Sequence, residues 1–363
     1  MKIKTVYMDI EEVLAQPVQR HVYPKRPNIF FRMLLRAVSA PDLKATNFKY
    51  REFEMEKLGK KEPCLVLMNH SSFIDLKIAS TVLYPRPLNI VCTSDGFVGK
   101  ERLMRSLGCI PTRKFVTDTQ LVRDMMFALK KLKSSILMYS EASYTFDGTA
   151  TPLPAGLGKC IKLMGVPVVM IRTYGAFARD PLYTGLRLRK VDVSADISYI
   201  LSPEDIRTKT AEDINGILYE QFSFDNFKWQ QENNVKISEP FRAEGLNRVL
   251  YKCPHCGAEG SMESGGADIL CNACGKGYTL TEYGFMEAKE GKTEFPHIPD
   301  WYAWERDCVR QEILKGSYKL DVPVDIYMMV NTRKVYGIGE GRLTHGENGF
   351  RLTGCNGKLD YHQ

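Results

Sequence analysis

CLVLMNHSSFID (64–75) is the stretch whose reading decides the fold. Its first six residues form a short apolar run after Pro63, the pattern of a strand buried on both faces. A helical pattern follows at once over 72–83. The same switch recurs along the chain. Strand patterns over 88–94, 135–141 and 166–175 alternate with helical patterns over 99–108, 117–134 and 156–165. Residues 186–200 alternate with period two, as a partly solvated strand would. Such alternation predicts an α/β fold, a mostly parallel sheet flanked by helices. A helix is expected over 202–222, where Ser202 supplies a cap and Glu204 and Asp205 an acidic first turn.

Working outward, residues 28–38 (NIFFRMLLRAV) make a short amphipathic helical pattern that Pro41 is expected to stop. Arg32 and Arg36 share one face, and Lys25 and Arg26 lie just upstream. This suits a helix lying in a membrane interface. No run approaches the 18 or so apolar residues of a spanning helix. The first sixteen residues carry acids where a signal peptide needs an apolar stretch, which implies an intracellular protein with reduced thiols. The expected organisation is an interfacial helical segment over 1–62, an α/β domain over 63–245, a cysteine module over 246–280, and a helix plus antiparallel β region over 281–363. The last strand pattern runs to the final residue, as in a longer β region cut short.

The net charge of +7 is concentrated. Residues 96–135 hold nine bases against three acids, a local excess of +6. That patch suits an anionic partner such as a phosphate, coenzyme A, an acidic carrier protein or an anionic bilayer. It lacks the aromatic interleaving of a nucleic-acid surface, so a nucleic-acid partner is not expected.

Chemistry is concentrated at His70 and Asp75. Ligands of α/β sheets gather at the carboxyl ends of strands, and His70 follows such a strand directly. A helix folding back can bring the Asp75 carboxylate to His70 Nδ1 and leave Nε2 a free acceptor. This is the base-and-orienter half of a catalytic triad without a serine, so the attacking hydroxyl would belong to a substrate.

Cys253, Cys256, Cys271 and Cys274 form two Cys-x2-Cys knuckles separated by 14 residues. Four thiolates at this spacing close a tetrahedron around one structural Zn²⁺. Gly257 and Gly275 permit the tight turn after each knuckle.

Four segments in order resemble the conserved blocks of the glycerophospholipid acyltransferases, the lysophosphatidic acid acyltransferase family: NHSSFID (69–75), GCIPTRK (108–114), YSEASYTF (139–146) and GVPVVMI (165–171). The resemblance covers about residues 28–225. It implies that His70 deprotonates an acceptor hydroxyl, which attacks the thioester of acyl-CoA or acyl-carrier protein. It implies that Asp75 orients His70 and that Arg113 holds the phosphate of a glycerophosphate-type lipid acceptor. Glu141, Lys114, Lys159 and Ser143 are the further substrate contacts it suggests. The third block departs from the family, with Ser140, Ala142, Ser143 and Tyr144 where proline, glycine, threonine and arginine are usual. The expected location is cytoplasmic, peripheral on the inner face of an anionic membrane. Two other functions fit parts of the chain: a catalytically silent lipid-binding scaffold, which the intact His70–Asp75 pair opposes, and a zinc-ribbon nucleic-acid binder.

Overall fold

The structure is a computed structural model that describes residues 5–113 and 118–363. It begins with a short strand β1 (Thr5–Tyr7) and helix α1 (Ile10–Leu14), followed by α2 (Ile29–Ala45). The chain then builds a sheet from β2 (Lys49–Phe53), β3 (Leu65–Met68), β4 (Leu88–Thr93), β5 (Cys109–Thr112), β6 (Ser135–Met138), β7 (Val168–Tyr174) and β8 (Ser194–Leu201). Between these strands lie α3 (Ile74–Val82), α4 (Glu101–Ser106), α5 (Thr119–Lys130), α6 (Leu157–Met164) and α7 (Ala176–Arg179). After β8 come α8 (Pro203–Thr208), α9 (Ala211–Phe222) and α10 (Asn226–Glu232).

The sheet order is β2-β8-β7-β3-β6-β4-β5. The β7–β8 pair is antiparallel and the other neighbouring pairs are parallel, so the sheet is mixed. β3 is central and fully buried. Val66 and Met68 join the core shared with α2 and α3, while Leu65 and Leu67 join the core under α5, α6 and α9. Burial on both faces explains why the strand reads as one apolar run.

Three local expectations need correction. The helix expected to stop at Pro41 continues to Ala45. Proline forfeits one backbone bond, but Ser39 and Leu43 are buried and Asp42 is ion-paired to Arg179 at 2.8 Å and to Lys77, which holds the last turn. The single helix expected over 202–222 is two, because Thr210 starts a second capping box with Asp213. The strand expected from 186 starts at Ser194; before it, Arg189 turns inward to bond Tyr183 Oη (2.9 Å) and the Arg242 carbonyl (2.7 Å).

The remaining strands form two smaller sheets. β9 (Met262–Gly265), β10 (Asp268–Cys271), β11 (Gly277–Leu280) and β12 (Met286–Ala288) make an antiparallel sheet, with Cys271 ending β10, Cys274 in the turn to β11, and Cys253 and Cys256 before β9. Helix α11 (Ile298–Leu314) packs on it through Trp301, whose Nε1 donates to the Lys252 carbonyl at 2.9 Å. β12 lies beyond the expected boundary at 280. Phe177, Tyr183 and Phe227 of the preceding part share this core, so the module is not a free-standing bead. Finally, β13 (Leu320–Met328), β14 (Val335–Gly346), β15 (Gly349–Gly354) and β16 (Leu359–His362) form a meander, and β1 pairs in parallel with β14. Ile10 and Val13 of α1 complete its core with Ile326, Tyr336 and Ile338. Residues 5–14 thus belong with the C-terminal sheet and β2 with the main sheet, which divides the segment expected over 1–62.

Helices α6 and α9 meet through Gly158, whose N–H donates to Asn215 Oδ1 at 2.8 Å. A Cβ on Gly158 would lie 2.2 Å from the Ala211 carbonyl oxygen, whereas one on Gly156 would meet nothing within 4 Å. Gly158→Ala is expected to cost about 1–3 kcal/mol in urea unfolding by overpacking. Gly156→Ala is expected to stay within about 0.5 kcal/mol of the parent. Equal effects at the two positions would contradict this packing.

Candidate active site

Asn69 follows β3 directly and is buried. Its Oδ1 accepts the Thr173 N–H at 2.9 Å, which ties the carboxyl ends of β3 and β7 together. The chain then turns through His70, Ser71 and Ser72 into α3. Asp75 sits in the first turn of that helix, fully buried. Its Oδ2 accepts the N–H groups of Ser71 (2.8 Å) and Ser72 (3.0 Å) and also lies 3.1 Å from His70 Nδ1. The carboxylate thus serves the amides of the turn that precedes the helix, and at the first turn it gains from the helix dipole. An ionised carboxylate only accepts, so Nδ1 must carry the proton and Nε2 the lone pair. Nε2 has no hydrogen-bond partner among the described residues, and the ring is partly open to solvent.

The His70 backbone is held from the other side by the loop after β6. Its N–H donates to Glu141 Oε2 at 2.8 Å, and its carbonyl accepts the Thr145 N–H at 3.0 Å. Glu141 Oε1 accepts from the N–H (2.9 Å) and hydroxyl (3.2 Å) of Thr151. Burial pushes the Glu141 carboxyl above its usual range, against these hydrogen bonds. Both oxygens are engaged with the protein. Glu141 thus links the His70 backbone to Thr151.

Two aromatic rings flank the imidazole. Tyr139 stacks on it at 4.0 Å between centroids and 23° between planes. Tyr144 lies at 4.2 Å and 43°, with Phe73 edge-on behind it at 5.8 Å. The turn between them contains Ala142 at φ +60°, a left-handed conformation that costs a non-glycine residue roughly 1 kcal/mol. Beneath the site, Ser72 Oγ donates to Asp180 Oδ1 at 2.6 Å, and Arg179 bridges Asp180 (3.1 Å) and Asp42 of α2 (2.8 Å). Burial raises the Asp180 carboxyl despite these partners.

The other expected contacts are more dispersed. Arg113 follows β5, three strands from β3, a lateral distance of about 14 Å at the usual strand spacing. Its side chain is 68% exposed, with Nε 3.8 Å from Asp118 Oδ2. Lys114 lies outside the described residues. Lys159 is exposed in the first turn of α6, and Ser143 is half-buried. Sequence reasoning missed Tyr139, Ser72, Asp180 and Thr151. Tyr139 leaves β6 into a turn closed by the Ala142 N–H on its carbonyl at 3.1 Å, a placement that no sequence pattern announces.

The four module cysteines converge, with every pair of sulfurs within 4.8 Å. Cys253 and Cys274 Sγ are 3.8 Å apart, as are Cys256 and Cys271 Sγ. Sulfurs at about 2.3 Å from one tetrahedral centre are about 3.8 Å apart, so the set fits a four-thiolate metal site. The Gly257 N–H donates to the Cys253 carbonyl and the Gly275 N–H to the Cys271 carbonyl, each at 2.8 Å. Gly257 and Gly275 share a φ of +77°, and the Ala258 and Lys276 N–H groups point at Cys256 and Cys274 sulfur.

Residues 50–173 match the family model described as Acyltransferase. The matched segment runs from β2 into β7 and contains His70, Asp75, Arg113 and Glu141; the cysteine module lies outside it. No curated protein matches the chain. A solved structure similar to part of it is the 1-acyl-sn-glycerophosphate (LPA) acyltransferase PlsC from Thermotoga maritima, with 14% identity and a TM-score of 0.42 over 52% of this chain and 76% of that one.

A closed four-thiolate site leaves no position for substrate. Elemental analysis of freshly purified, reduced protein is expected to give one metal ion per chain. Cys256→Ser is expected to lower the unfolding midpoint by several degrees while changing turnover little. A stoichiometry near zero would contradict the metal site.

Proposed function

We propose that this chain is an O-acyltransferase that moves a fatty acyl group from acyl-CoA or acyl-carrier protein to the hydroxyl of a glycerophosphate-type acceptor such as lysophosphatidate. The observation that carries the reading is the buried Asp75 carboxylate on His70 Nδ1 at the carboxyl edge of the sheet, within the segment that matches the Acyltransferase model. His70 Nε2 takes the proton of the acceptor hydroxyl as its oxygen attacks the thioester carbonyl. The tetrahedral intermediate collapses with cleavage of the C–S bond, and the leaving thiolate recovers the proton from His70. Asp75 keeps the tautomer and stabilises the imidazolium between these steps.

The acceptor's phosphate is assigned to Arg113. Arg179, linked to the dyad through Asp180 and Ser72, is committed to Asp180 and Asp42. Arg113 is exposed, follows a strand ending on the same edge as β3, and lies in the basic segment. A guanidinium can bind phosphate through two parallel hydrogen bonds. The metal of the cysteine module is assigned as one structural Zn²⁺, and the module as a zinc ribbon, because the donor set is four thiolates.

The protein is further proposed to work at the inner face of an anionic membrane. Ile29, Phe30, Met33, Leu34 and Val38 recur on one face of α2 and are exposed, Phe30 by 63% and Val38 by 62%. Arg26, Arg32 and Arg36 accompany them. Among the described residues no helix is long and apolar enough to cross a membrane. An apolar stripe with flanking bases suits a helix lying in the interface.

His70→Ala is expected to lower transfer from acyl-CoA to lysophosphatidate at least 1,000-fold, on the order of removing a catalytic base, with metal content and melting unchanged. Arg113→Lys is expected to raise the KM for the acceptor about tenfold and to leave that for the donor nearly unchanged. Near-normal turnover by His70→Ala would overturn the assignment. An Arg113→Lys effect confined to the donor would move Arg113 to the donor site.

A further inference from the structure

We infer that Tyr139 and Tyr144 form an aromatic clamp that holds the His70 ring edge-on to the acceptor and stabilises the imidazolium formed during acyl transfer. The inference rests on the proposed role of His70 as base. It starts from geometry that this role does not require. A base needs an orienter on one nitrogen and access at the other, and Asp75 already supplies the orienter. Yet two phenol rings lie against the imidazole, Tyr139 stacked at 4.0 Å and 23° and Tyr144 tilted at 4.2 Å and 43°. Nε2, with no hydrogen-bond partner among the described residues, is the nitrogen left for substrate.

The clamp is assembled by the loop that fixes the His70 backbone. Tyr139 continues from β6, Glu141 holds the His70 N–H, and Thr145 holds its carbonyl. Tyr144 therefore lies between two anchors, and Phe73, from the start of α3, braces its outer side. The left-handed Ala142 lies in the turn that brings both tyrosines to the one imidazole. Backbone strain retained in such a loop is consistent with a functional constraint.

The chemistry follows from the charge that His70 acquires. The ring is neutral before proton transfer and cationic until the thiolate leaves. The face of a neutral phenol is electron-rich and attracts a cation within about 6 Å of its centroid. It attracts neutral imidazole less, so the two faces stabilise the charged intermediate more than the starting state. Only such differential stabilisation raises turnover. Both phenols must stay neutral for this. Burial, the largest cause, raises the Tyr139 hydroxyl well above its usual range and raises that of Tyr144 as well, with Asp75 adding to both. The Tyr139 hydroxyl is buried without a hydrogen-bond partner among the described residues, so the ring rather than the hydroxyl is what the site uses.

The test compares Tyr139→Leu, Tyr139→Phe, Tyr144→Leu and Tyr144→Phe in the full chain, with acyl-CoA and lysophosphatidate as probes. Each Leu variant is expected to lose about tenfold in kcat while the donor KM changes less than about twofold. Each Phe variant, which keeps the ring, is expected to recover most of that loss. Ring currents give a readout independent of turnover. In protein labelled at histidine only, the His70 ring protons, assigned by their loss in His70→Ala, are expected upfield and are expected to move downfield in Tyr144→Leu but not in Tyr144→Phe. Leu variants with kcat within twofold of the parent, or Phe variants as impaired as Leu, would overturn the clamp. Absence of transfer by the parent itself would instead defeat the proposed function, and the ring-proton shifts would still report whether the clamp exists.

Discussion

A single carboxylate oxygen, Oδ2 of the fully buried Asp75, accepts from two backbone N–H groups and faces one imidazole nitrogen. A charge buried this deeply is tolerated only when it is hydrogen-bonded closely. The turn from β3 into α3 supplies those bonds, and in return the carboxylate fixes the turn. The imidazole orientation, its tautomer and the open Nε2 edge all follow from that exchange. The sheet contributes the frame. β3 is central, so the turn emerges at mid-edge with β7 on one side and β6 on the other. The loops after those two strands carry the groups that complete the site.

The same turn is tied to the exposed helix. Asp42 of α2 pairs with Arg179, Arg179 with Asp180, and Asp180 accepts from Ser72, whose N–H binds Asp75. This chain of short contacts runs from the last turn of α2 to the dyad. It gives a physical reason why the helix and the site keep a fixed relation. The cysteine module is joined differently, through the apolar core around Phe177, Phe227 and Trp301. It braces the region after β7 and α10 and contributes no group to the imidazole.

Much of the main sheet was legible because burial on both faces writes a strand as an uninterrupted apolar run, as in 64–69 and 166–171, and because intervening helices repeat at near-helical period. The His70–Asp75 spacing and the two cysteine knuckles were legible for a similar reason: each is a local pattern whose geometry follows from a few residues. What was not legible is non-local. Nothing in Thr5–Tyr7 announces a pairing with Val335–Gly337, some 330 residues away. Glu141 reads as a polar residue at a strand end, and its bonds to His70 and Thr151 depend on how three separate segments meet. Pro41 reads as a stop because its local cost is visible in sequence while the ion pairs of Asp42 are not. The second capping box at Thr210 was present in the sequence and was obscured by the continuous helical pattern around it.

The most direct test of this account is mass spectrometry of the complete reaction: purified protein, one acyl thioester and a set of hydroxyl acceptors with and without phosphate. The account requires a new oxygen ester on an acceptor, formed in step with one free thiol, while the protein mass stays unmodified throughout turnover, because the base activates the substrate's own hydroxyl. An acylated protein that forms and decays during turnover, or thiol release with no ester on any acceptor, would contradict it.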